Sequence, residues 1–140
     1  MDDGKVKISL FDVTDANNPI ELSKYEISNE NGWGSSSALY EHKAFLFDPE
    51  KNLLVIPAYD NNIESDYVFD ISIEDGIELK GIISHYLEND EPPEKEWYYN
   101  YVYSIKRTLY IDNVLYTISD KIVKMNSLDD LGEINIINLS

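Results

Sequence analysis

The sequence of 140 residues contains no cysteine. This absence excludes a disulfide framework, a thiolate metal site and a cysteine nucleophile. It leaves the cellular compartment open, because reduced cytosolic proteins and large secreted proteins can both lack cysteine. Basic side chains are scarce: 11 Lys and Arg stand against 27 Asp and Glu, for a formal net charge of −16. We therefore expect binding neither to nucleic acid nor to anionic lipid, since both need clustered lysine and arginine.

Long apolar runs are absent as well. None approaches the ~20 residues of a membrane span, so we expect no membrane insertion. The segment Met1–Lys7 is acidic and then interrupted by lysine, which does not resemble a signal peptide. Apolar residues nevertheless make up 43% of the chain and aromatic residues 12%, and most of the aromatic residues are tyrosine. This composition predicts a folded domain rather than a disordered one.

The dominant spacing of the apolar residues is two, which is typical of β-strands with one buried face. Leu53–Ala58 is apolar almost throughout, which predicts a strand buried on both faces. No segment shows the sustained spacing of three and four that an amphipathic helix requires. The sequence therefore predicts an all-β chain. Its ten predicted strands are Val6–Val13, Glu21–Ile27, Lys43–Phe47, Leu53–Ala58, Tyr67–Ser72, Ile77–Ile83, Tyr98–Ile111, Val114–Ser119, Ile122–Asn126 and Glu133–Leu139.

An internal repeat is the most informative feature of the sequence. Phe11-Asp12-Val13 recurs as Phe69-Asp70-Ile71, 58 residues further along the chain. The strand pair in Phe45–Val55 recurs in Leu109–Tyr116. Each period holds four strands, and a four-stranded unit of about fifty residues is typical of a β-propeller blade. We therefore predict a partial β-propeller with about two and a half four-stranded antiparallel blades.

The predicted single domain spans residues 1–140, with a half-blade in 1–30, one blade in 38–86 and another in 97–140. Propellers usually close with ~4–8 blades, so we expect the rest of the ring to come from upstream residues or from another copy. The half-blade has an open strand edge along Val6–Val13, and uncovered faces and edges favour association. We predict a homo-oligomer, most simply a two-fold dimer that makes contacts through the half-blade.

Three parts of the sequence resemble a known family. They are Lys7–Asp15 with Asn18-Pro19, His42–Asp48 with Leu53–Pro57, and Leu109–Ile111 with Val114–Ser119. They are similar to the C-terminal β-propeller family of secreted bacterial and archaeal proteins, which is described as distantly related to WD40 repeats. The resemblance implies further blades upstream and an extracellular or cell-surface location, with the export signal expected upstream. It implies no catalytic motif.

Two classes of function are compatible with such a fold. We favour a non-enzymatic binding or scaffold module, because propellers present loops on a rigid ring. Its expected ligand is a protein or a glycan. The alternative is part of a hydrolase-type enzyme with its site at the central channel of the complete propeller. A purely architectural role in a surface layer is a third possibility. The chain has no Gly-x-Ser-x-Gly motif, and His42 and His85 are predicted to form hydrogen bonds at strand ends, which favours binding.

Aromatic residues are the candidate ligand contacts. Trp33 lies in a loop rich in glycine and serine, while Trp97, Tyr99 and Tyr101 belong to one aromatic run. Exposed aromatic rings stack on sugars or anchor peptides. The other interpretation, which the sequence favours, is that the alternating tyrosines fill the interface between blades.

The segment Asp60–Asp66 carries oxygen-bearing side chains at alternate positions, which is how calcium-binding loops begin. These candidate ligands are Asp60, Asn62, Glu64 and Asp66. The loop lacks the glycine at its sixth position and the glutamate at its twelfth. A solvated acidic turn is therefore favoured and no cofactor is expected. If a divalent ion binds, these four residues are its predicted ligands, because hard oxygen donors suit calcium.

Overall fold

The computed structural model describes residues 5–27, 36, 45–60, 63–86 and 96–140, and these ranges contain ten strands and one helix. The strands form three antiparallel sheets. The half-blade consists of β1 (Val6–Asp12) and β2 (Ile20–Ile27). The central sheet consists of β3 (Leu46–Asp48), β4 (Leu53–Asp60), β5 (Ile63–Ser72) and β6 (Gly76–Ile83). Helix α1 (Glu96–Tyr103) precedes the terminal sheet of β7 (Arg107–Ile111), β8 (Val114–Ile118), β9 (Ile122–Ser127) and β10 (Glu133–Asn138).

Equivalent turns recur in the two four-stranded sheets, in each of which sequential strands pair as hairpins. The β3–β4 turn ends at Asn52 with φ 53°, and the β7–β8 turn contains Asp112 with φ 52°. Asparagine and aspartate adopt this left-handed conformation more readily than most residues. The carbonyl of Asn52 accepts a hydrogen bond from the Ile71 amide at 2.8 Å, and that of Asn113 accepts one from the Leu128 amide at 2.9 Å. The sequence repeat is therefore also a repeat of turn geometry.

Gly76, which begins β6, marks a close approach between the central sheet and the half-blade. Its φ is 77°, and a Cβ at this position would lie 2.6 Å from Ser23 Oγ. The same Ser23 hydroxyl accepts a hydrogen bond from the Ile77 amide at 3.2 Å. The position therefore requires glycine for its backbone conformation and for the space it leaves to Ser23.

The central sheet is buried on both faces. One face packs on the half-blade through a cluster of Val6, Ile27, Leu54, Ala58, Tyr67, Phe69 and Ile77. The other face packs on the terminal sheet through a cluster of Leu53, Val55, Val68, Ile83, Ile105, Leu115 and Leu128. Successive residues of β4 thus contribute to opposite clusters, which confirms the prediction of a strand buried on both faces.

Three stacked antiparallel sheets of two, four and four strands are the architecture of a partial β-propeller. The predicted fold class is confirmed. The proposed boundaries at residues 1–30, 38–86 and 97–140 stay a prediction. Within the described ranges, no helix has the length and the apolar character needed to cross a membrane.

The predicted strand beginning at Tyr98 is wrong over its first part, which belongs to α1. Tyr99 and Val102, three residues apart, are both 5% exposed and form the buried side of the helix, which packs against β5. The helix ends where the Ser104 hydroxyl donates to the Asn100 carbonyl at 2.7 Å. Aromatic residues are common in strands, and their preference depends on the residues around them. Here the packing of Tyr99 and Val102 against β5 stabilises a helix instead.

The predicted polar loop Asp60–Asp66 is wrong in its second half. β4 continues to Asp60 and β5 begins at Ile63, so only two residues separate the strands. Asp66 pairs with Pro57 and Ser65 pairs with Ala58 in the sheet. Charged residues are rarely fully buried, and this is why the sequence of the segment indicated a solvated loop.

Candidate functional site

A cavity of about 310 Å³ opens between the central and terminal sheets, at the end where the β3–β4, β7–β8 and β9–β10 turns lie. Its volume falls at the lower end of the range of small-molecule sites, ~300–1,000 Å³. The cavity is lined by Lys51, Asn52, Leu53, Phe69, Asp70, Lys80, Asn113, Leu128 and Asp129. Polar side chains from both sheets therefore converge on one concave site.

Two lysines of this acidic protein line the cavity. The Lys51 ammonium lies 3.4 Å from the Asp112 carbonyl oxygen and 5.1 Å from the centroid of the Tyr110 ring. The Lys80 ammonium donates to the Leu128 carbonyl. Each ammonium has three N–H donors, so one backbone contact leaves donors for a ligand.

Two aspartates supply acceptors at the same cavity. Asp70 lies on β5, Asp129 lies in the β9–β10 turn, and both residues are exposed. In the part of the chain that the structure describes, no ion pair within 4.0 Å joins either aspartate to a cation, or either cavity lysine to a carboxylate. The cavity thus holds two positive and two negative groups that do not neutralise each other by direct contact.

The wall beside Lys51 is fixed by a hydrogen bond between the sheets. The Tyr110 hydroxyl donates to the Asp48 carboxylate, which lowers the pKa of Asp48 and raises the pKa of Tyr110. Asp48 also accepts a hydrogen bond from the Glu50 amide at 2.9 Å, within the β3–β4 turn. One carboxylate therefore holds the turn and ties it to the terminal sheet, so the cavity is formed before any ligand arrives.

A buried carboxyl group lies between β5 and β7, away from the cavity lining. Asp66 is fully buried, and the Thr108 hydroxyl donates to its Oδ2. Among the described residues, Oδ1 has no hydrogen-bond partner. Burial raises the pKa of Asp66 to about 7; the Thr108 hydrogen bond opposes this and the charge of Glu64 adds to it. Asp66 therefore keeps its proton through the mildly acidic range.

His85 follows β6 and is also buried. Its Nδ1 lies 2.8 Å from Ser119 Oγ and its Nε2 lies 2.8 Å from Thr117 Oγ1. Burial lowers the pKa of His85 to about 4, and the Lys124 charge contributes in the same direction. Both ring nitrogens are engaged by hydroxyl groups, so the predicted hydrogen-bonding role of His85 is confirmed. His42 lies outside the described residues.

Two of the predicted ligand-contacting aromatic residues form an exposed patch on α1. Trp97 is 70% exposed and Tyr101 is 61% exposed, and their spacing of four places them on one side of the helix. Tyr98, 48% exposed, extends the patch, with its ring centroid 6.0 Å from that of Trp97. The Lys106 ammonium lies 3.8 Å from the centroid of the Tyr101 ring. We call Trp97, Tyr98 and Tyr101 the aromatic patch.

Tyr99, the third predicted aromatic contact, does not belong to this patch. Tyr99 is buried, with its ring centroid 6.0 Å from that of Tyr86 and 4.5 Å from that of Tyr103. Tyr99 is thus buried and Tyr101 is exposed. The interpretation that alternating tyrosines fill the interface between blades stays a prediction. Trp33 lies outside the described residues.

Of the four predicted calcium ligands, Glu64 and Asp66 lie on β5 and are 7% and 0% exposed. The side chain of Asp60 and all of Asn62 lie outside the described part of the chain. Within that part, no group of three or more His, Asp or Glu is placed to hold a metal ion. Calcium binding through these residues stays a prediction.

The cavity residues carry no motif that marks them in the sequence. Asn52 and Asn113 are recognisable only as turn residues at matching places in the repeat. Turns that recur at matching places in stacked sheets meet at the same end of the stack. The matching positions of Asn52 and Asn113 in the repeat therefore could have predicted that these two turns lie side by side. Lys80 gives no comparable signal, because it reaches the cavity only through packing of β6 beside the β9–β10 turn.

Comparison with known proteins agrees with the fold. A family described as "Beta propeller domain" matches residues 1–131. An uncharacterised protein of Methanocaldococcus jannaschii is 35% identical over 129 residues, which cover 92% of this chain and 16% of that protein. An uncharacterised protein of Archaeoglobus fulgidus is 28% identical over 138 residues, which cover 96% of this chain and 18% of that protein. No solved structure matches the chain.

The chain spans less than a fifth of the length of either curated relative. The family match covers the half-blade, the central sheet and three of the four strands of the terminal sheet, since it ends before β10 begins. Three sheets stacked as blades, a repeat of four strands and this match over almost the whole sequence lead to one conclusion: the chain belongs to the beta propeller domain family.

Proposed function

We propose that the chain is a non-enzymatic recognition module, and that its cavity binds a small neutral ligand rich in hydroxyl groups, such as one sugar unit of a glycan. The observation that carries the proposal is the set of unpaired charged groups around a preformed cavity. A sugar hydroxyl donates one hydrogen bond and accepts others, so it needs both kinds of partner. Lys51 and Lys80 supply donors, whereas Asp70 and Asp129 supply acceptors.

The charge balance of the lining supports a neutral ligand. The two lysines and two aspartates among the described lining residues sum to no net charge, although the whole chain carries −16. A site for an anion or a cation would be expected to carry an excess of the opposite charge. Of the apolar lining residues, Leu53 and Leu128 are 6% and 8% exposed and offer a small contact for the C–H face of a sugar ring, whereas the Phe69 side chain is fully buried against the half-blade.

The cavity supports binding better than hydrolysis. Among the residues that the structure describes, no serine, threonine or histidine lines the cavity, so these residues present no nucleophile beside a base. A glycosidase needs one carboxyl group in an enclosed apolar environment so that it acts as an acid near neutral pH. Asp70 and Asp129 are both exposed, which does not provide that environment.

The test is an NMR titration of the isotopically labelled protein with neutral monosaccharides, and with glucuronate and glucosamine as charged comparisons. We expect saturable shifts of the Asn52, Asn113 and Asp129 amides with at least one neutral sugar, and weaker binding of both charged ones. Lys80→Gln should weaken binding about 10-fold, since a charged donor is lost. Lys24→Gln, an exposed lysine of the half-blade, is the matched control. Absence of saturable shifts with every sugar would refute the proposal, and release of product from an aryl glycoside would refute its non-enzymatic part.

The aromatic patch favours a second contact with a glycan or a peptide. Trp97 and Tyr101 present two rings at the spacing of one helical turn, and stacking on such rings gives affinity at exposed sites. Binding at this patch would shift the amides of α1 and not those of the cavity turns. Trp97→Ala would abolish those shifts, and Lys80→Gln would leave them unchanged.

A further inference from the structure

The aromatic patch lies on a helix that is fixed at one end of the stack of sheets. The Ile105 amide, just after α1, donates to the Glu64 carbonyl at 2.9 Å, and the Asp120 amide donates to the Val102 carbonyl at 3.1 Å. Glu64 lies near the start of β5 and Asp120 lies in the β8–β9 turn, so this is the end opposite to the cavity. Packing of one sheet on the next covers the faces of sheets and does not account for a patch at the end of the stack.

Exposure of the aromatic patch is high. Trp97 and Tyr101 are the two most exposed aromatic side chains in the part of the chain that the structure describes, at 70% and 61%. Aromatic residues are enriched in the interfaces of proteins relative to the rest of their surfaces. The patch is therefore a candidate contact surface, and the groups around it indicate what it binds.

The molecule itself shows one kind of group held at this surface. The Lys106 ammonium lies 3.8 Å from the centroid of the Tyr101 ring and forms an ion pair with the Asp120 carboxylate. A cation above an aromatic ring is attracted by the negative charge of the ring face. Tyr101 and Asp120 thus form a cation site, which a lysine of the chain occupies.

The other two rings of the patch suit a cation better than a sugar. The planes of the Trp97 and Tyr98 rings make an angle of 81°, and the ring centroids are 6.0 Å apart. Two rings at nearly right angles do not make a flat platform on which successive sugar units could stack. A cation needs only the face of a ring, and tryptophan attracts it more strongly than tyrosine does.

The charge of the chain favours the same class of ligand. The whole chain carries −16, and the sequence of residues 88–96, directly before Trp97, contains five acidic residues and one lysine. This charge attracts a cationic partner and repels an anionic one at low ionic strength. A neutral glycan gains nothing from it.

The spacing of the rings indicates a segment of polypeptide as the ligand. Trp97 and Tyr101 are four residues apart on α1, which is a rise of about 6 Å. Alternate residues of an extended chain point to the same side and are about 6.6 Å apart. We propose that the aromatic patch docks an extended segment of a partner protein in which alternate residues are arginine or lysine. One cationic side chain lies on Trp97, and the next lies on Tyr101 in place of Lys106.

This inference rests on the proposed role of the chain as a recognition module and names the partner of its second contact. The test is an NMR titration of the isotopically labelled protein with a capped peptide of nine residues that has arginine at every second position. The same peptide with citrulline in place of arginine removes the charge and keeps the shape. We expect saturable shifts of the Tyr98 and Tyr101 amides with the arginine peptide. Binding of the citrulline peptide should be at least ~10-fold weaker, and 0.5 M NaCl should weaken binding of the arginine peptide ~10-fold relative to 0.05 M.

Replacement of the resident lysine separates this proposal from a simple effect of net charge. Lys106→Gln removes the cation that competes for Tyr101, so it should tighten binding of the arginine peptide ~3-fold. Lys24→Gln, at an exposed position on the half-blade, makes the same change in net charge and should alter binding less than ~1.5-fold.

Two further variants test the ring and the carboxylate. Trp97→Ala should weaken binding at least ~10-fold, and Asp120→Asn should weaken it ~3-fold. The matched controls are Phe47→Ala, which removes a ring that is 52% exposed, and Asp75→Asn, which removes an exposed carboxylate. Neither control should change binding. Circular dichroism and thermal unfolding show whether each variant is folded.

Absence of shifts in α1 with the arginine peptide would overturn the proposal, and so would equal binding of the citrulline peptide. Weaker binding by Lys106→Gln would overturn it as well, because Lys106 would then contact the ligand. A neutral hexasaccharide that binds the same amides more tightly than the arginine peptide would assign the patch to a glycan. Arginine amide that binds as tightly as the peptide would make the patch a site for small cations. The Asn52 and Asn113 amides report on the cavity separately, so this proposal and that of a sugar in the cavity fail independently.

Discussion

Replacement of Asp66 by asparagine is expected to stabilise the protein above neutral pH and to leave its stability nearly unchanged in acid. Burial raises the pKa of Asp66 from 3.8 in the unfolded chain to about 7 in the native state. Between these values Asp66 binds more protons in the native state than in the unfolded chain, so its contribution to the free energy of unfolding falls as pH rises. Asparagine is neutral at every pH and still accepts the Thr108 hydrogen bond. The free energy of unfolding of the variant therefore does not fall through ionisation at this position.

The magnitude follows from the size of the pKa shift. A displacement of roughly 3 pH units at ~1.4 kcal/mol per unit amounts to about 4 kcal/mol, fully developed above pH 8. This is a large share of the ~5–15 kcal/mol stability of an ordinary domain. The assay is urea denaturation of the protein and of Asp66→Asn at pH 4, 5.5, 7 and 8.5. Asp75→Asn, in an exposed turn, corrects for the loss of one negative charge.

A stability difference between Asp66→Asn and the unmodified protein that stays constant from pH 4 to pH 8.5 would refute the reasoning. A variant less stable than the unmodified protein at pH 8.5 would refute it more directly, because ionised Asp66 would then be stabilised by a cation or a donor. Repetition with EDTA and with calcium separates those two causes. Calcium-dependent stabilisation that Asp66→Asn removes would support the predicted calcium site.

Three further predictions concern single side chains. The His85 ring should remain neutral until about pH 4 in an NMR titration, since burial lowers its pKa; protonation near pH 6.5 would contradict its burial. Gly76→Ala should destabilise the protein by about 1–3 kcal/mol in urea, because the positive φ and the Ser23 contact are both unfavourable; Ser23→Ala should recover little of this, since the Cβ of residue 23 would still lie 2.8 Å from the new Cβ. Phe69→Ala should cost about 3–5 kcal/mol, since Phe69 is fully buried with its ring 4.9 Å from that of Tyr25; a cost below ~1 kcal/mol would mean that the half-blade does not pack as described.

The fold was predictable because the burial of one or both faces of a strand determines the spacing of its apolar residues. β4 needs apolar residues at every position, since the half-blade covers one of its faces and the terminal sheet covers the other. β1 needs them at alternate positions, because one face alone is in the core. The repeat from Phe11 to Phe69 then fixed the number of strands per unit. The spacing of apolar residues and the repeat can both be read directly from the sequence, without knowledge of how the sheets pack.

The cavity and α1 were not predictable in the same way. The cavity joins Lys80 with Leu128, 48 residues apart, and Lys51 with Asp112, 61 residues apart. Such contacts depend on how two sheets pack, which spacing within one strand does not reveal. In α1, alternating tyrosines suit a strand and a helix equally, and contact with β5 selects the helix. The burial of Asp66 could not be predicted for the same reason. An acidic side chain in a polar segment indicates exposure to solvent, but the pairing of Asp66 with Pro57 places it within the central sheet.

Asp66 and His85 oppose each other in their effects on stability. His85 has a pKa of about 4 in the native state and 6.5 in the unfolded chain, so the stability it contributes is present above pH 6.5 and is lost as pH falls to about 4. Asp66 acts in the reverse direction over an overlapping range. Between pH 4 and 6.5 the two groups change the free energy of unfolding in opposite directions by similar amounts. Together they should therefore leave the stability of the unmodified protein nearly constant over this range. Asp66→Asn should therefore unmask a loss of about 3 kcal/mol on acidification, His85→Gln should unmask the opposite slope, and the double variant should be flat again. Equal slopes in all four proteins would show that neither group titrates from a buried position.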